Sequence, residues 1–189
     1  MSKKPYVVGI SGGTCSGKST IVTRLEETLA ANHKVIVLNL DKFYKWSAMR
    51  TTAPITRVEY PEHNHPEAVD MDKMLEAFTT AIADKSNDVV LAEGVFALYF
   101  DQIRERLDLK IFVDLPSDER MFRRIKRMMN ENTTMDDVAI RYLDTARYRH
   151  NEFVEPTRWH ADLVVNGALD THRGTDIIKT CIEIGISGL

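Results

Sequence analysis

The sequence predicts an α/β fold in which helices flank a five-stranded parallel sheet. Three observations support this prediction. Five short apolar runs have the length and the β-branched content of buried strands. Segments with apolar residues at helical spacing separate these runs, and strands that alternate with helices favour a parallel sheet with right-handed crossovers. A chain of 189 residues is long enough to bury one core, so we predict a single domain over residues 1–189.

The predicted elements follow one another with few interruptions. The strands are predicted at 6–11, 34–40, 88–93, 109–115 and 161–165. The helices are predicted at 19–29, 67–83, 100–107, 117–129, 135–153 and 175–184. We expect the first two strands to be buried, and Ser117 to cap the fourth helix. The connection 45–66 contains three prolines and no clear period, which predicts a binding loop or a mobile cover without regular structure.

Composition excludes several classes of protein. The net charge of -3 gives no reason to expect nucleic acid as a partner. Two cysteines imply no disulfide framework, and no apolar run approaches the roughly 20 residues of a membrane span. The first apolar stretch is too short for a signal peptide. We therefore predict a soluble cytoplasmic protein with no membrane partner; a homo-oligomer is left open.

A phosphate-binding motif lies between the first strand and the first helix. The sequence fits the pattern G-x-x-x-x-G-K-[ST] of a P-loop, and the strand-to-helix turn is its required context. Glycines let backbone N–H groups wrap a polyphosphate, the lysine supplies a cation, and the serine hydroxyl can bind Mg²⁺. The motif predicts binding of ATP and Mg²⁺ through Gly12, Gly13, Thr14, Cys15, Ser16, Gly17, Lys18, Ser19 and Thr20.

Two acids and an arginine-rich helix complete the candidate site. Asp41 ends the second predicted strand and Glu93 the third, and ligands bind at the carboxyl ends of parallel strands. Asp41 suits a catalytic base, although an aspartate there can also cap a turn. Glu93 ends an apolar strand, where a carboxylate needs a partner such as Mg²⁺. Arg120, Arg124 and Arg127 share one helix face, which suits either a closing phosphate clamp or a solvated surface.

A P-loop alone allows several kinds of protein. Guanine-selective GTPases carry an Asn-Lys-x-Asp motif, which this sequence lacks. A kinase needs a base beside the acceptor hydroxyl and cations over the transferring phosphoryl group, and the sequence offers candidates for both. The alternative from another class is a P-loop nucleotide-binding switch protein without acceptor phosphorylation. Acceptor-dependent release of ADP separates the two.

Five motifs in succession resemble the signatures of the uridine kinase family. They are the P-loop, Asp-Lys-Phe-Tyr at 41–44, Asn-His-Pro-Glu-Ala-Val-Asp at 64–70, Glu-Gly-Val-Phe-Ala-Leu-Tyr at 93–99 and Phe-Val-Glu-Pro-Thr at 153–157. This group also includes nicotinamide riboside kinases and phosphoribulokinases. The resemblance implies a nucleoside kinase-like P-loop fold with an arginine-rich helical lid near 117–150. It also implies transfer of the γ-phosphate of ATP to a primary hydroxyl.

The resemblance assigns roles to individual positions. The implied catalytic residues are Asp41, Lys18 and Arg127, and the Mg²⁺ environment comprises Ser19, Glu93 and Asp41. The loop with Asn166 and Gly167 lies where the family holds adenine. The implied acceptor-binding residues are Tyr44, Asn64, His65, Arg124 and Arg141.

Two departures from the family bear on the acceptor. Asn64 stands where the family has an aspartate that binds ribose hydroxyls. The family's pyrimidine-reading hairpin would lie between the second helix and the third strand, where this chain has only residues 84–87. We therefore expect a nucleoside acceptor, with uridine or cytidine as the family default. Nicotinamide riboside or another small sugar or alcohol is the alternative.

Overall fold

The computed structural model describes residues 4–45, 49–168 and 172–188. Its strands are β1 (Tyr6–Gly12), β2 (Val35–Asn39), β3 (Arg50–Thr52), β4 (Glu59–Pro61), β5 (Val89–Glu93), β6 (Leu109–Asp114) and β7 (Leu163–Asn166). Its α-helices are α1 (Lys18–Leu29), α2 (Met71–Ala83), α3 (Asp101–Arg104), α4 (Ser117–Met128), α5 (Met135–Arg141), α6 (Arg147–Arg149) and α7 (His172–Ser187).

A five-stranded parallel sheet organises the fold, as the sequence predicts. Its strand order is β2-β5-β1-β6-β7. The central strands β1 and β5 are almost wholly buried, which explains their near-continuous apolar sequences. The register aligns Ile10 of β1 with Glu93 of β5, and Asn39 of β2 with the same glutamate. The end of β2, the end of β5 and the start of the P-loop therefore meet at one edge of the sheet.

Helices cover both faces of the sheet. On one face, α1 and α7 pack their apolar residues against the strands; the buried members of α1 are Ile21, Val22, Leu25 and Leu29, as the helical spacing predicts. On the other face, α2 and α3 contribute Met74, Phe78 and Ile103. Each such fully buried side chain contributes about 1.5–3 kcal/mol relative to exposure. The two layers hold the carboxyl edge of the sheet in a fixed place.

The prediction that the second strand is buried is wrong for β2. This strand lies at the edge of the sheet, its residues are half-buried, and the Ile36 side chain is 39% exposed. It also ends earlier than predicted, at Asn39, and a 3₁₀ turn (Leu40–Phe43) follows. An apolar, β-branched run does not reveal how many neighbours a strand has, because edge and central strands share that composition.

The connection predicted as a loop at 45–66 contains regular structure. β3 and β4 form an antiparallel hairpin in which Arg50 pairs with Pro61 and Thr52 with Glu59. Residues 46–48 of this connection lie outside the described residues. The prediction failed because strands of three residues are too short to show a period. Pro61 is tolerated at the end of the ribbon, where its missing N–H removes no essential bond.

Several helix boundaries also differ from the predictions. The helix predicted at 67–83 begins at Met71 because the Asp70 side chain caps it by accepting from the Lys73 N–H at 3.3 Å. A separate 3₁₀ turn, Pro66–Ala68, precedes it. Ser117 does not cap α4: it is the first helical residue, and Pro116 occupies the capping position. The helix predicted at 100–107 shortens to α3, and the last strand begins at Leu163 rather than 161.

The helix predicted at 135–153 is present but interrupted. It begins with a capping box between Thr134 and Asp137, and two π-helical turns, Tyr142–Ala146 and His150–Val154, flank α6. A 3₁₀ helix, Glu155–His160, then leads to β7. We refer to residues 135–154 as the long helical segment. Among the described residues, no helix is both long and apolar enough to cross a membrane.

Candidate active site

The P-loop forms a cradle between β1 and α1. Gly12 and Gly17 have positive φ angles of 143° and 105°, which favour glycine, and Cys15 also has a positive φ of 61°. A non-glycine residue in this region stores roughly 1–3 kcal/mol of strain, and such strain clusters at ligand-binding loops. The Ser16 Oγ is buried and has no hydrogen-bond partner among the described residues. An anion bound in this cradle would accept hydrogen bonds from the Ser16 hydroxyl and from the surrounding backbone N–H groups.

The Lys18 side chain lies inside this cradle and is held there by two backbone carbonyls. Its Nζ donates to the carbonyl oxygens of Gly12 at 2.9 Å and Gly13 at 3.1 Å, and the side chain is buried. Burial lowers the pKa of Lys18, while the nearby carboxylates of Asp41 and Glu93 oppose that shift. A phosphate would give the ammonium a charged partner in place of two carbonyls.

Glu93 lies beside Ser19 at the end of β5. Its Oε2 accepts from the Ser19 Oγ at 3.0 Å, and its Oε1 accepts from the Asn39 Nδ2 at 3.0 Å. Burial raises the pKa of Glu93, against the hydrogen bond from Ser19 and the charge of Lys18. The described residues contain no group of three or more His, Cys, Asp or Glu side chains placed to hold a metal ion. A hydroxyl with one or two carboxylates fits Mg²⁺, which keeps several waters and takes phosphate oxygens as further ligands.

Asp41 is fixed by a distant partner rather than by its own turn. Its Oδ1 accepts from the backbone N–H of Val95 at 2.9 Å. Gly94 permits this approach, since a Cβ there would lie 2.9 Å from the Leu40 Cβ and 3.1 Å from the Asp41 Oδ1. The Val95 N–H opens the turn that follows β5, so this bond is a turn-capping contact of the kind that the structural alternative for Asp41 predicts. Asp41 shares a cavity of about 270 Å³ with Lys18, Ser19 and the rest of the P-loop.

The arginines of α4 face the P-loop. Arg120 is buried, its Nε donates to the Leu115 carbonyl at 2.9 Å, and its guanidinium packs against Gly13. Arg124 Nη1 donates to the Thr14 Oγ1 at 3.1 Å, and Arg127 Nη2 lies 3.5 Å from the same atom. Burial lowers the pKa of Arg124, and the neighbouring Arg127 adds to the shift. Arg120 and Arg124 are therefore not part of a merely solvated surface. Arg127 is exposed and lines the cavity.

The loop after β7 packs directly on the P-loop. A Cβ at Gly167 would lie only 1.9 Å from the Ser16 carbonyl oxygen, so glycine is required for this contact. The Asn166 Oδ1 accepts from the Ala168 N–H at 2.7 Å and shapes the turn. Arg123 donates to the carbonyls of Gly167 and Ala168, both at 2.9 Å. The structure thus brings Asn166 and Gly167 beside the P-loop, and it adds Arg123, which the sequence prediction missed.

Five acceptor residues were predicted, and one of them, Arg124, contacts Thr14 of the P-loop as described above. Tyr44 is largely buried and bridges to Val69, and burial, with Asp41 and Glu62 nearby, raises the pKa of its hydroxyl. The His65 ring makes an edge contact with Phe153, with centroids 4.6 Å apart.

The remaining predicted acceptor residues, Asn64 and Arg141, lie on different parts of the chain, Asn64 after β4 and Arg141 at the end of α5. The Asn64 N–H donates to the Glu62 carboxylate at 2.7 Å. Arg141 is half-buried in α5 and lies near enough to Arg124 to lower the pKa of that guanidinium.

Two charged residues of this region were missed by the sequence prediction. Glu62 is fully buried, and Arg149 pairs with it at 2.9 Å between Nε and Oε2. Glu62 belongs to a connection without periodicity, and Arg149 lies 87 positions further along the chain. Neither position carries a recognisable motif, so no local signal in the sequence predicts the pair.

Comparisons with known proteins identify the family and the fold of this chain. The sequence model of the Phosphoribulokinase / Uridine kinase family matches residues 79–172. The chain is 30% identical to uridine kinase of Bacillus pumilus over 206 aligned positions, which cover 97% of this chain and 96% of that protein. It is also 30% identical to uridine kinase of Lactococcus lactis, covering 95% and 97% respectively. Phosphoribulokinase from Rhodobacter spheroides has the same fold: the TM-score is 0.60 at 14% identity, over 87% of this chain and 71% of that one.

Proposed function

This chain belongs to the Phosphoribulokinase / Uridine kinase family, and we propose that it transfers the γ-phosphoryl group of ATP to the primary hydroxyl of a nucleoside. The observation that carries the proposal is the shared cavity, in which Asp41 faces the P-loop residues Lys18 and Ser19. A nucleotide switch protein also uses a carboxylate beside its P-loop to hold Mg²⁺, and Glu93, which accepts from Ser19, can fill that role. Asp41 is a second carboxylate, which a switch protein does not require. The same cavity in a kinase places the acceptor's base beside the transferring group.

The proposal gives each side chain a separate task. Lys18 leaves the carbonyls of Gly12 and Gly13 to bind the β- and γ-phosphates. Ser19 and Glu93, with Asp41 on the other side of the cavity, would hold Mg²⁺. The bound ion neutralises phosphate charge as the γ-phosphoryl group transfers.

Asp41 and the arginines act on the acceptor side of the same cavity. The Asp41 carboxylate orients the attacking hydroxyl with its free oxygen and accepts the proton late in the transfer. Arg127, which is exposed, moves inward when the segment 117–150 closes as a lid. There its guanidinium stabilises the charge of the transferring group.

The acceptor is proposed to bind between Asp41 and the long helical segment. Tyr44, Asn64 and His65 would contact it from the chain that follows β2, and Arg124 and Arg141 from α4 and α5. Uridine and cytidine are the first candidates, since the relatives named above are uridine kinases. A nicotinamide riboside or another small sugar or alcohol is the second candidate, because α2 ends at Ala83 and β5 begins at Val89. That short turn provides no pyrimidine-reading hairpin.

The proposal is tested with the substitution Asp41→Asn. Asparagine keeps the size of the side chain and an oxygen for the Val95 N–H, but it cannot accept the proton. Loss of a general base typically costs roughly 10²–10⁴ in rate, with little effect on nucleotide affinity. We expect acceptor-dependent ADP release to fall by that factor, while the Kd for ATP stays within about threefold.

The controls separate catalysis from folding. The acceptor panel comprises uridine, cytidine, nicotinamide riboside and a purine nucleoside, each with ATP and Mg²⁺. The matched surface variant Asp101→Asn removes a carboxylate from α3, remote from the cavity. If Asp41→Asn kept wild-type kcat while its Tm fell, Asp41 would be structural, and if the wild type phosphorylated no acceptor, the switch alternative would stand.

A further inference from the structure

A buried carboxylate connects the motif at 64–70, which we call the acceptor motif, to the long helical segment. Glu62 has no exposed surface, and both of its oxygens are engaged. Its Oε1 accepts from the backbone N–H of Asn64 at 2.7 Å, and its Oε2 accepts from Arg149 Nε at 2.9 Å. Glu62 therefore cannot reach an acceptor hydroxyl itself. It can only place the backbone from which Asn64 and His65 project.

Arg149 makes the matching contacts from the helical side. Its Nη2 donates to the Thr51 Oγ1 of β3 at 3.1 Å, and its Nη1 donates to the Glu152 carboxylate at 2.7 Å. Its guanidinium also lies 5.8 Å from the centre of the Phe153 ring, and Phe153 in turn contacts His65. Arg149 is therefore connected to the acceptor motif by two chains of contacts, one through Glu62 and one through Phe153.

A second anchor joins the same two parts of the chain without touching the acceptor motif. Asp144 is 7% exposed, and its Oδ2 accepts from the Thr56 Oγ1 at 2.7 Å and from the Tyr60 hydroxyl at 2.8 Å. Both donors belong to the β3–β4 hairpin, including its turn. Asp144 therefore holds the hairpin to the long helical segment, whereas Glu62 reaches past the hairpin to Asn64.

We propose that the Glu62–Arg149 pair is a positioning device that sets the place of Asn64 and His65 and thereby the affinity for the acceptor. The role in acceptor binding rests on the proposed function. The pair is costly to break from the side of Glu62, whose charge is fully buried and would be left uncompensated without Arg149, whereas Arg149 is 25% exposed and keeps Glu152 as a second partner. The loop carrying Asn64 cannot shift without breaking it. The far end of this segment is packed into the core through Ala68 and Val69, so the pair fixes the end that carries Asn64.

The experiment compares Glu62→Gln with the matched control Asp144→Asn. Both changes remove one buried charge at the junction of the hairpin and the helical segment and keep the shape of the side chain. We expect Glu62→Gln to raise the acceptor KM by roughly tenfold, with the KM for ATP within about twofold of wild type. Asp144→Asn should lower Tm by a similar amount and leave the acceptor KM within about twofold.

A second arm tests whether the two residues act as one unit. Arg149→Lys keeps the charge but loses the forked geometry of the guanidinium, so it should also raise the acceptor KM. The double variant with Glu62→Gln should then be no worse than the more affected single variant. Additive effects of the two changes would overturn the proposal. So would an unchanged acceptor KM in Glu62→Gln, or an equal rise in Asp144→Asn.

Amide hydrogen exchange separates this inference from the proposed function. Glu62→Gln should speed exchange in the peptide 62–69, and Asp144→Asn should speed it in the peptide 51–60 instead. This readout needs no acceptor. If the wild type phosphorylates none of the tested acceptors, the proposed function fails while the exchange pattern still decides the positioning role. Equal protection of 62–69 in wild type and Glu62→Gln would refute that role.

Discussion

At the scale of single residues, the arginines of α4 differ in how firmly they are held: Arg120 and Arg123 are buried or bonded, and Arg127 is exposed. Arg120 is buried against Gly13, and Arg123 is bound to two carbonyls of the β7 loop. Arg127, one turn further along, is exposed and makes only a 3.5 Å contact with Thr14. A side chain that is free to move can follow charge as it develops during the reaction. Arg127 is therefore the arginine whose loss should affect rate rather than folding.

We expect Arg127→Ala to reduce kcat by roughly 10³ while it changes the free energy of unfolding by less than about 0.5 kcal/mol. Lys126→Ala is the matched control, because Lys126 lies on the same turn but points over the Phe122 ring. Steady-state kinetics and urea denaturation on the same preparations measure both quantities. A kcat reduced by less than about tenfold would leave Arg127 without a catalytic role.

At the scale of elements, two glycines set the spacing of the site. Gly94 lets the β2 end approach the β5 end at Asp41, and Gly167 lets the β7 loop approach Ser16. A methyl group added at either position forces neighbouring backbone apart, which typically costs about 1–3 kcal/mol. The two positions lie on different sides of the cavity. Their effects on the two substrates should therefore differ.

The pair Gly94→Ala and Gly167→Ala tests this division. Gly94→Ala displaces Asp41, so kcat should fall at least about tenfold with the Kd for ATP little changed. Gly167→Ala pushes on the Ser16 carbonyl, so the Kd for ATP should rise at least about tenfold. Isothermal titration with a nonhydrolysable ATP analogue and initial-rate kinetics distinguish the two. Identical profiles for the two variants would show that the cavity responds as one unit.

How much of the site could be predicted from the sequence depends on how far along the chain each physical signal extends. The P-loop, Asp41 and Glu93 were predictable because parallel strands bring their carboxyl ends to one edge. Helical period predicted that Arg120 and Arg124 share a face. It could not predict that the face packs on the P-loop, because a period specifies which residues align and not what they contact. The Glu62–Arg149 pair depends on contacts across 87 positions, for which a single sequence carries no signal.

At the scale of the whole molecule, His150 links stability to pH. It belongs to the long helical segment and is buried, and its Nε2 contacts Glu155 at 3.1 Å. Burial, with Arg120 and Lys18 nearby, lowers the pKa of His150 to about 3, from an ordinary value of 6.5. The unfolded chain therefore binds a proton below pH 6.5 that the folded protein does not. Stability is lost progressively as pH falls from 6.5 towards 3.

Replacing this histidine should flatten the acid side of the stability profile. Since a difference of one pKa unit is about 1.4 kcal/mol, the wild type should lose on the order of 1–2 kcal/mol between pH 7 and pH 5 through this group. His150→Gln should remove that loss and keep a donor for Glu155. His172→Gln, on the exposed start of α7, is the control. Urea midpoints at pH 7 and pH 5 measure the difference, and parallel profiles for wild type and His150→Gln would contradict the assignment.

The edge position of β2 makes this strand easier to unfold locally than the central strands. β2 pairs with β5 along one side, whereas the P-loop grows from β1, which has a paired strand on each side. Edge strands open locally at a smaller free-energy cost than central ones. A fluctuation that detached β2 would carry Asp41 away and leave the P-loop folded. We therefore expect heat or denaturant to abolish phosphoryl transfer before nucleotide binding is lost.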